Sequence, residues 1–396
     1  MFIEDGTPRV AASVVSAPQS LVRTAQVRWS DVAPLRQIQS QIGNEPLASL
    51  TLFVTPHANF EDVTREANRI YPDIDVIACT TAGEIGENGY DEGLIVAVGF
   101  PAGNFSSSAM MIKDLSNLVP ETLIDRVTLE RVALCERAAD MEHGFAFLVI
   151  DGLSLSEDML ANAVAPVLHD MPIFGGSAGD GTDFRKTLVS LNGEVATNAA
   201  VLNLVRSHHL VHVFSLDHLV PSEMRMVVTE ADPVARIVKT INAEPAAREY
   251  ARIVGKDPDQ LDRFTFASHP VAVRIGDSHH VRAIQQVNEA GELVFYSAID
   301  EGMVLTVATA DNMAEHLITK MNDLARPLPP DNILVCDCIL RRIEAEQTQT
   351  SRLMSDIMSE HKVTGFSTYG EQIGPLHVNH TMSGVAFYRT TTSQDN

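Results

Sequence analysis

Short apolar segments of strand length alternate with segments of helical period along most of this chain, and that alternation limits the fold more than any other feature. Leu50 to Val54 reads as a strand, and Asn59 to Ile70 as a helix capped by Asn59. Ile74–Cys79, Leu94–Phe100 and Gly144–Ile150 read as further strands, and Ser156 to Leu168 as a helix capped by Ser156. Two strands flank the turn Asn192-Gly193, a strong hairpin signal. Beyond Val227 the spacing predicts helices over 231–240 and 245–254, then strands at 271–275, 282–287, 293–298 and 303–308. Asn332 to Leu340 reads as a fully buried strand followed by one long helix to about Glu360, and the chain closes with strands over 363–369 and 378–389. Hairpins interrupt the strand–helix order, so the expected class is α/β, with two similar-sized domains of mixed β-sheets and flanking helices. The expected divisions are an N-terminal tail (1–22), domains at 23–243 and 244–390, and a short tail at 391–396. No repeat of 20–50 residues is visible.

Charge narrows the partners. The 29 Lys and Arg against 52 Asp and Glu leave a net charge of −23, which repels phosphate backbones and anionic lipid, so neither nucleic acid nor a membrane is expected as a partner. Four cysteines over 396 residues are no disulfide framework and point to a reducing compartment. The start Met1-Phe2-Ile3-Glu4-Asp5 carries acid where a secretory leader needs basic residues, and no apolar run reaches the ~20 residues of a bilayer span. A cytoplasmic location is expected.

Familiar catalytic patterns are missing. The loop Gly175-Gly-Ser-Ala-Gly-Asp-Gly181 matches neither dinucleotide nor Walker fingerprints and is followed by strand, so a tight turn competes with an anion cradle. His208, His209, His212 and His218 lie on or near a strand, where residues four apart are roughly 13 Å apart and cannot share one ion. Cys336 and Cys338 share a strand face, with no further Cys or His at zinc spacing; buried thiols are the expectation. No nucleophile motif occurs, so no enzymatic activity is expected. Residues 365–381 stand out by combining aromatics, glycines, His377 and His380, with the two imidazoles on opposite faces if the strand continues.

Taken together, Ile77–Ile85, Ile173–Asp180, Ala298–Leu305, Cys336–Arg342 and Phe366–Gln372 resemble, in order, the signatures of the FIST sensory domains. Asp337–Glu346 and Leu376-His-Val-Asn-His380 are similar to its stand-alone nitric-oxide-sensing branch, the NosP type. That resemblance implies a haem b protein that binds nitric oxide and regulates a sensor histidine kinase. It maps the axial ligand onto His377, with His380 as runner-up because the motif departs at 380 and at Met382. It makes Arg341, Arg342, Tyr369 and Phe366 the pocket or propionate candidates. The alternative is a FIST domain that binds a small polar ligand such as an amino acid through Thr80, Glu84, Gly176, Ser177 and Asp180, without haem. The oligomeric state, a homodimer included, stays open.

Overall fold

The structure is a computed structural model that describes residues 20–275 and 278–389. Among these residues the strands form three six-stranded mixed sheets and one eight-stranded sheet, with helices packed on them. The expected α/β class is what the chain adopts.

The three six-stranded sheets are copies of one design. Each has an edge strand, a helix, two parallel strands joined through a helical connection, a short hairpin, and a return strand that runs back between the edge strand and the first parallel strand. In the first copy these are Arg23–Arg28, Pro34–Ile42, Leu47–Val54, Phe60–Ile70, Asp75–Thr80, the hairpin Glu84–Gly86 with Gly89–Asp91, and Leu94–Pro101. In the second they are Phe105–Lys113, Pro120–Arg137, His143–Ile150, Glu157–Val164, Ile173–Ser177, the hairpin Val189–Leu191 with Glu194–Ala196, and Ala199–Ser207. The third begins with Leu210–Leu216, resumes at Met313–Leu324 and Asn332–Cys338, crosses through helices Ile339–Gln347 and Ser351–Glu360 to Val363–Thr368, and ends with the hairpin Glu371–Ile373 with Leu376–Val378 and the return Met382–Tyr388. Each hairpin is donated to the next sheet. Glu84–Gly86 pairs with Val363–Thr368, Glu371–Ile373 with Ile173–Ser177, and Val189–Leu191 with Asp75–Thr80, which closes a cycle.

Burial explains the near-continuous apolar strands. Alternate residues of Leu47–Val54 send Phe53 inward and Leu50, Leu52 and Val54 outward against helices, so both faces are covered. The inner faces of all three sheets meet in one core of Phe53, Phe100, Phe145, Phe147, Phe174, Phe366 and Phe387. Phe53 stacks on Phe366 at 4.5 Å and Phe145 meets Phe387 edge-on at 5.8 Å, pairs that add about 0.5–1.5 kcal/mol each beyond area burial.

Between the edge strand and the helix of the third copy the chain makes a long excursion, Leu219–Ala310, which forms the eight-stranded sheet with helices Ala246–Val254 and Arg263–Ser268. Here the structure corrects one expectation. Residues 231–240 are not a helix but the end of strand Leu219–Asp232, a turn, and strand Ile237–Ile241. The Asp232 carboxylate accepts the N–H groups of Val234 (3.1 Å) and Ala235 (3.0 Å), which fixes a turn before any helix can start. The long helix expected up to Glu360 is two, broken at Gln349 (φ 56°), where Thr350 N–H returns to Ala345 O. Ser156 precedes its helix without a side-chain cap bond. Of the expected N-terminal tail, residues 1–19 lie outside the described residues, while Leu21 and Val22 are buried in the phenylalanine core. Residues 391–396 also lie outside the description.

Candidate functional site

The second parallel strands of the three copies end together. There each copy makes a turn, Thr81-Ala-Gly-Glu84, Ser177-Ala-Gly-Asp180 and Thr368-Tyr-Gly-Glu371, and the turns bind one another. Ala82 N–H donates to Ser367 O and Ser367 N–H to Gly83 O; Gly179 N–H donates to Thr80 O; Ser177 N–H donates to Gly370 O and Tyr369 N–H to Ser177 O. Carboxyl ends of parallel strands are where ligands settle in open α/β sheets, because the connections diverge and leave a crevice. Here the excursion lies over two of the three mouths. Arg236 binds Glu157 at 2.6 Å beside the second, and Ala267, Val281, Ala283 and Tyr296 pack on Cys338–Ile343 over the third. The first mouth remains open as a cleft of about 910 Å³.

Five parts of the chain wall this cleft: the stretch from Thr55 to Glu61, the turn Thr80–Glu84, Asp180 to Lys186, Arg263 and Phe264 of one helix, and Arg342, Ile343 and Glu346 of another. Glu84 is fully buried; its carboxyl accepts from Thr81 Oγ1 and, at 2.9 Å, from Leu94 N–H. Burial pushes its pKa up to about 7, against the lowering effect of those two donors and of Arg342. Arg342 donates to Asp91 O (3.1 Å) and Glu92 (2.9 Å), with Glu346 at 3.5 Å. It lies over Gly83, whose φ of 129° and lack of a Cβ allow the approach. Asp180 is spent on the turn, accepting from the N–H groups of Phe184, Arg185 and Lys186 and from Tyr369 Oη. Arg263 has no carboxylate partner among the described residues, so one guanidinium faces the cleft unneutralised.

Of the small-ligand set, Thr80, Glu84 and Asp180 meet at this cleft. Gly176 and Ser177 do not: both are buried behind the turn, with Ser177 Oγ accepting from Gln372 at 3.1 Å. The haem set is scattered. Phe366 lies in the central core and Tyr369 under the turn on Asp180, its ring tilted by 32° against Phe184 at 4.4 Å. Arg342 is in the cleft, whereas Arg341 is fully buried on Asp337 (2.7 Å) and His218 (2.9 Å). His377 is buried, its Nδ1 3.1 Å from Gln372, and burial lowers its pKa. Its Nε2 has no partner among the described residues but faces Gly370, where an added Cβ would stand 2.8 Å away. His380 adopts φ 54° and sits inside the Arg341–His218–Glu344 cluster, 3.8 Å from Glu344. Both imidazoles are buried among the described residues, and Phe366, Tyr369, Arg341 and Arg342 belong to separate clusters, so this set does not fit a haem in this conformation. Among the described residues no cluster of three His, Cys, Asp or Glu side chains is arranged for a metal ion.

Cys336 and Cys338 are buried, and burial raises both thiols well above their usual range. Sequence reasoning missed Arg263, Phe264, His57 and Lys186 in the cleft, since nothing in sequence joins residue 57 to residue 263. It also missed the buried chain Tyr90–Asp337–Arg341–His218–Glu344, because Asp337 ends a strand and Arg341 opens the next helix, so no single element's period joins them.

Residues 49–244 match the FIST N domain and residues 246–374 the FIST C domain. The chain belongs to the FIST family. FIST domains are sensory domains of signal transduction. The cleft of this FIST protein takes its walls from both matched segments. The chain is also similar to the uncharacterized protein MJ1623 of Methanocaldococcus jannaschii, at 21% identity over 91% of this chain and 77% of that protein. Among the described residues no helix is long and apolar enough to cross a membrane.

Proposed function

We propose that this chain is a ligand-binding sensor and that its ligand is a small polar molecule of the amino-acid type, held in the first-copy cleft without chemical turnover. The observation that carries the reading is the cleft itself: about 910 Å³, at the carboxyl ends of parallel strands, walled by both FIST segments and lined by groups of both signs. Arg263 and Arg342 suit a carboxylate, for which guanidinium supplies paired donors. Glu92 is mostly exposed and swings into water when a ligand carboxylate takes its place on Arg342. Exposed Asp183 and Glu61 offer the opposite charge to an ammonium group. A ligand that touches both segments biases their arrangement, and a partner protein, a sensor histidine kinase in the expected setting, reads the difference.

The experiment is a thermal-shift screen of the twenty amino acids and their keto acids. A ligand at 100 times its Kd adds about 2.7 kcal/mol and raises Tm. The shift is expected to shrink in Arg263→Gln, and the ligand to be recovered unchanged. The rival reading, a nitric-oxide sensor carrying haem b on His377, rests on the His377-Val-Asn379 motif and requires the 370–380 segment to rearrange. Stoichiometric haem uptake with a Soret band lost in His377→Ala, alongside no shift with any screened compound, overturns the small-ligand reading in its favour.

A further inference from the structure

The three copies close the ends of their first parallel strands with the same bond, so their mouths compare position by position. Thr55 N–H donates to Leu94 O, Asp151 N–H to Ala199 O and Cys338 N–H to Thr381 O, each time at the start of the return strand. Beyond this bond the first and second copies both cross a short loop into a helix, Phe60–Ile70 and Glu157–Val164, and both helices open on acids. The second helical residue is Glu61 in one copy and Asp158 in the other.

In the second mouth those acids hold guanidinium groups brought by the excursion. Arg236 donates to Glu157 at 2.6 Å and stands 3.7 Å from Asp158, while Arg282 stands 3.8 Å from Asp158 and donates to His377 O at 2.7 Å. Both arginines are buried. In the first mouth no arginine reaches the matching acid. The ion-pair partner of Glu61 among the described residues is Lys186, at 4.0 Å and with a side chain 62% exposed. The cleft as a whole is acidic, with six carboxyl groups against three cations along its walls. Glu84 and Asp180 are bonded to the walls, and Glu92 and Glu346 pair with Arg342. Glu61 and Asp183 are left for a ligand, with Arg263 as the cation without a carboxylate.

Resting on the reading of this cleft as an amino-acid site, we propose that its ligand is an amino acid whose side chain ends in a guanidinium. That group lies on Glu61 as Arg236 and Arg282 lie on Asp158, with the ligand's α-carboxylate on Arg263 and its α-ammonium at Asp183. A guanidinium suits the place better than a second ammonium, because its planar fork matches a carboxylate and it gives up water more readily. The second mouth shows the same helical turn holding that group.

The test is calorimetric titration of the full chain with L-arginine and with L-citrulline, which keeps the length and shape but ends in a neutral urea. Arginine is expected to bind at one site, and citrulline at least about tenfold more weakly, as loss of a charged hydrogen bond requires. Glu61→Gln, on an exposed turn of the helix, is expected to weaken arginine until the two ligands bind within about twofold of each other. Arg263→Gln is expected to weaken both. Arginine that still outbinds citrulline about tenfold in Glu61→Gln overturns the inference. If a different amino acid binds, loses affinity in Arg263→Gln, and arginine does not bind, the cleft remains an amino-acid site and the guanidinium assignment alone falls. Binding of none of the twenty amino acids overturns it together with the reading on which it rests.

Discussion

Glu84 shows what a single buried carboxyl does to this protein. Its ordinary value is 4.5 and burial pushes it to about 7, so between those values the folded state holds a proton that the unfolded chain has released. Stability from this group therefore falls as pH rises through that window and is lowest above 7. At about 1.4 kcal/mol per pKa unit, the cost by pH 8 is roughly 3 kcal/mol. Glu84→Gln keeps the shape of the neutral acid: its amide donates to Thr81 Oγ1 and its carbonyl accepts from Leu94 N–H. The variant is expected to match the native chain at pH 5 and to exceed it by roughly 2–3 kcal/mol at pH 8, read from urea unfolding at the two pH values. A variant less stable by the same amount at both would mean an ionised Glu84. Arg341 is the opposite case. It is fully buried and charge-paired to Asp337, so Arg341→Met strands a buried carboxylate and is expected to cost about 3–5 kcal/mol, with partial recovery when Asp337→Leu is added.

Among the elements, the exchanged hairpins carry the connections between sheets, and the middle one shows how. Asn192 and Gly193 both take positive φ, 53° and 79°, as a two-residue hairpin turn requires. Asn192 also docks the hairpin on its host strand, accepting from Val76 N–H at 2.8 Å and donating to Asp75 at 3.0 Å. Asn192→Ala loses both bonds and the residue type that tolerates this backbone, and is expected to destabilise by about 2 kcal/mol in denaturant titration. The sign Asn-Gly is local, and so this hairpin was legible in sequence, as were the apolar strands at 50–54, 74–79 and 144–150, which are covered on both faces. The partner of a hairpin is not local. Nothing in Glu84–Asp91 says that it pairs with Val363–Thr368, nearly three hundred residues on, rather than with its own sheet. The threefold repetition stayed hidden for a related reason: one copy is split by the Leu219–Ala310 excursion, and what recurs is strand order with one four-residue turn of Ser or Thr, any residue, Gly and an acid, too short to mark a repeat. Of the site, the two turn signatures at 80–84 and 175–181 were visible, but Arg263 reaches the cleft only through the excursion's packing.

Over the whole molecule, the cyclic exchange decides how stability is shared. The edge strand Leu210–Leu216 lies before residue 243 and pairs with Met382–Tyr388 after it; the hairpins at 84–91 and 371–378 cross the same division in opposite directions. The phenylalanine core draws Phe53 and Phe174 from one side and Phe366 and Phe387 from the other. A cut at 243/244 therefore strips strands from three of the four sheets, the eight-stranded one losing Leu219–Asp232 and Ile237–Ile241, and opens the shared core to water on both fragments. The excursion is different. Its fifteen-residue buried cluster, around Tyr250, Phe266 and Phe295, is its own; the chain enters and leaves it at Asp217–Leu219 and Ala310–Asn312, and it is held to the three sheets by polar contacts such as Arg236–Glu157 and by the smaller cluster of Ala267, Val281, Ala283 and Tyr296 on Cys338–Ile343. The expectation is that the three six-stranded sheets unfold in one transition, while the excursion opens at a lower free energy. Native-state hydrogen exchange measures this. The amides of Phe53, Val149 and Val335, one from a central strand of each sheet, should exchange with a common free energy, and those of Ile237–Ile241 with a smaller one. Segments 23–243 and 244–390 made separately should each fail to show cooperative unfolding. Two transitions that divide at 243/244, with either segment folded alone, would mean that the exchanged hairpins add little and that the two family segments are independent units.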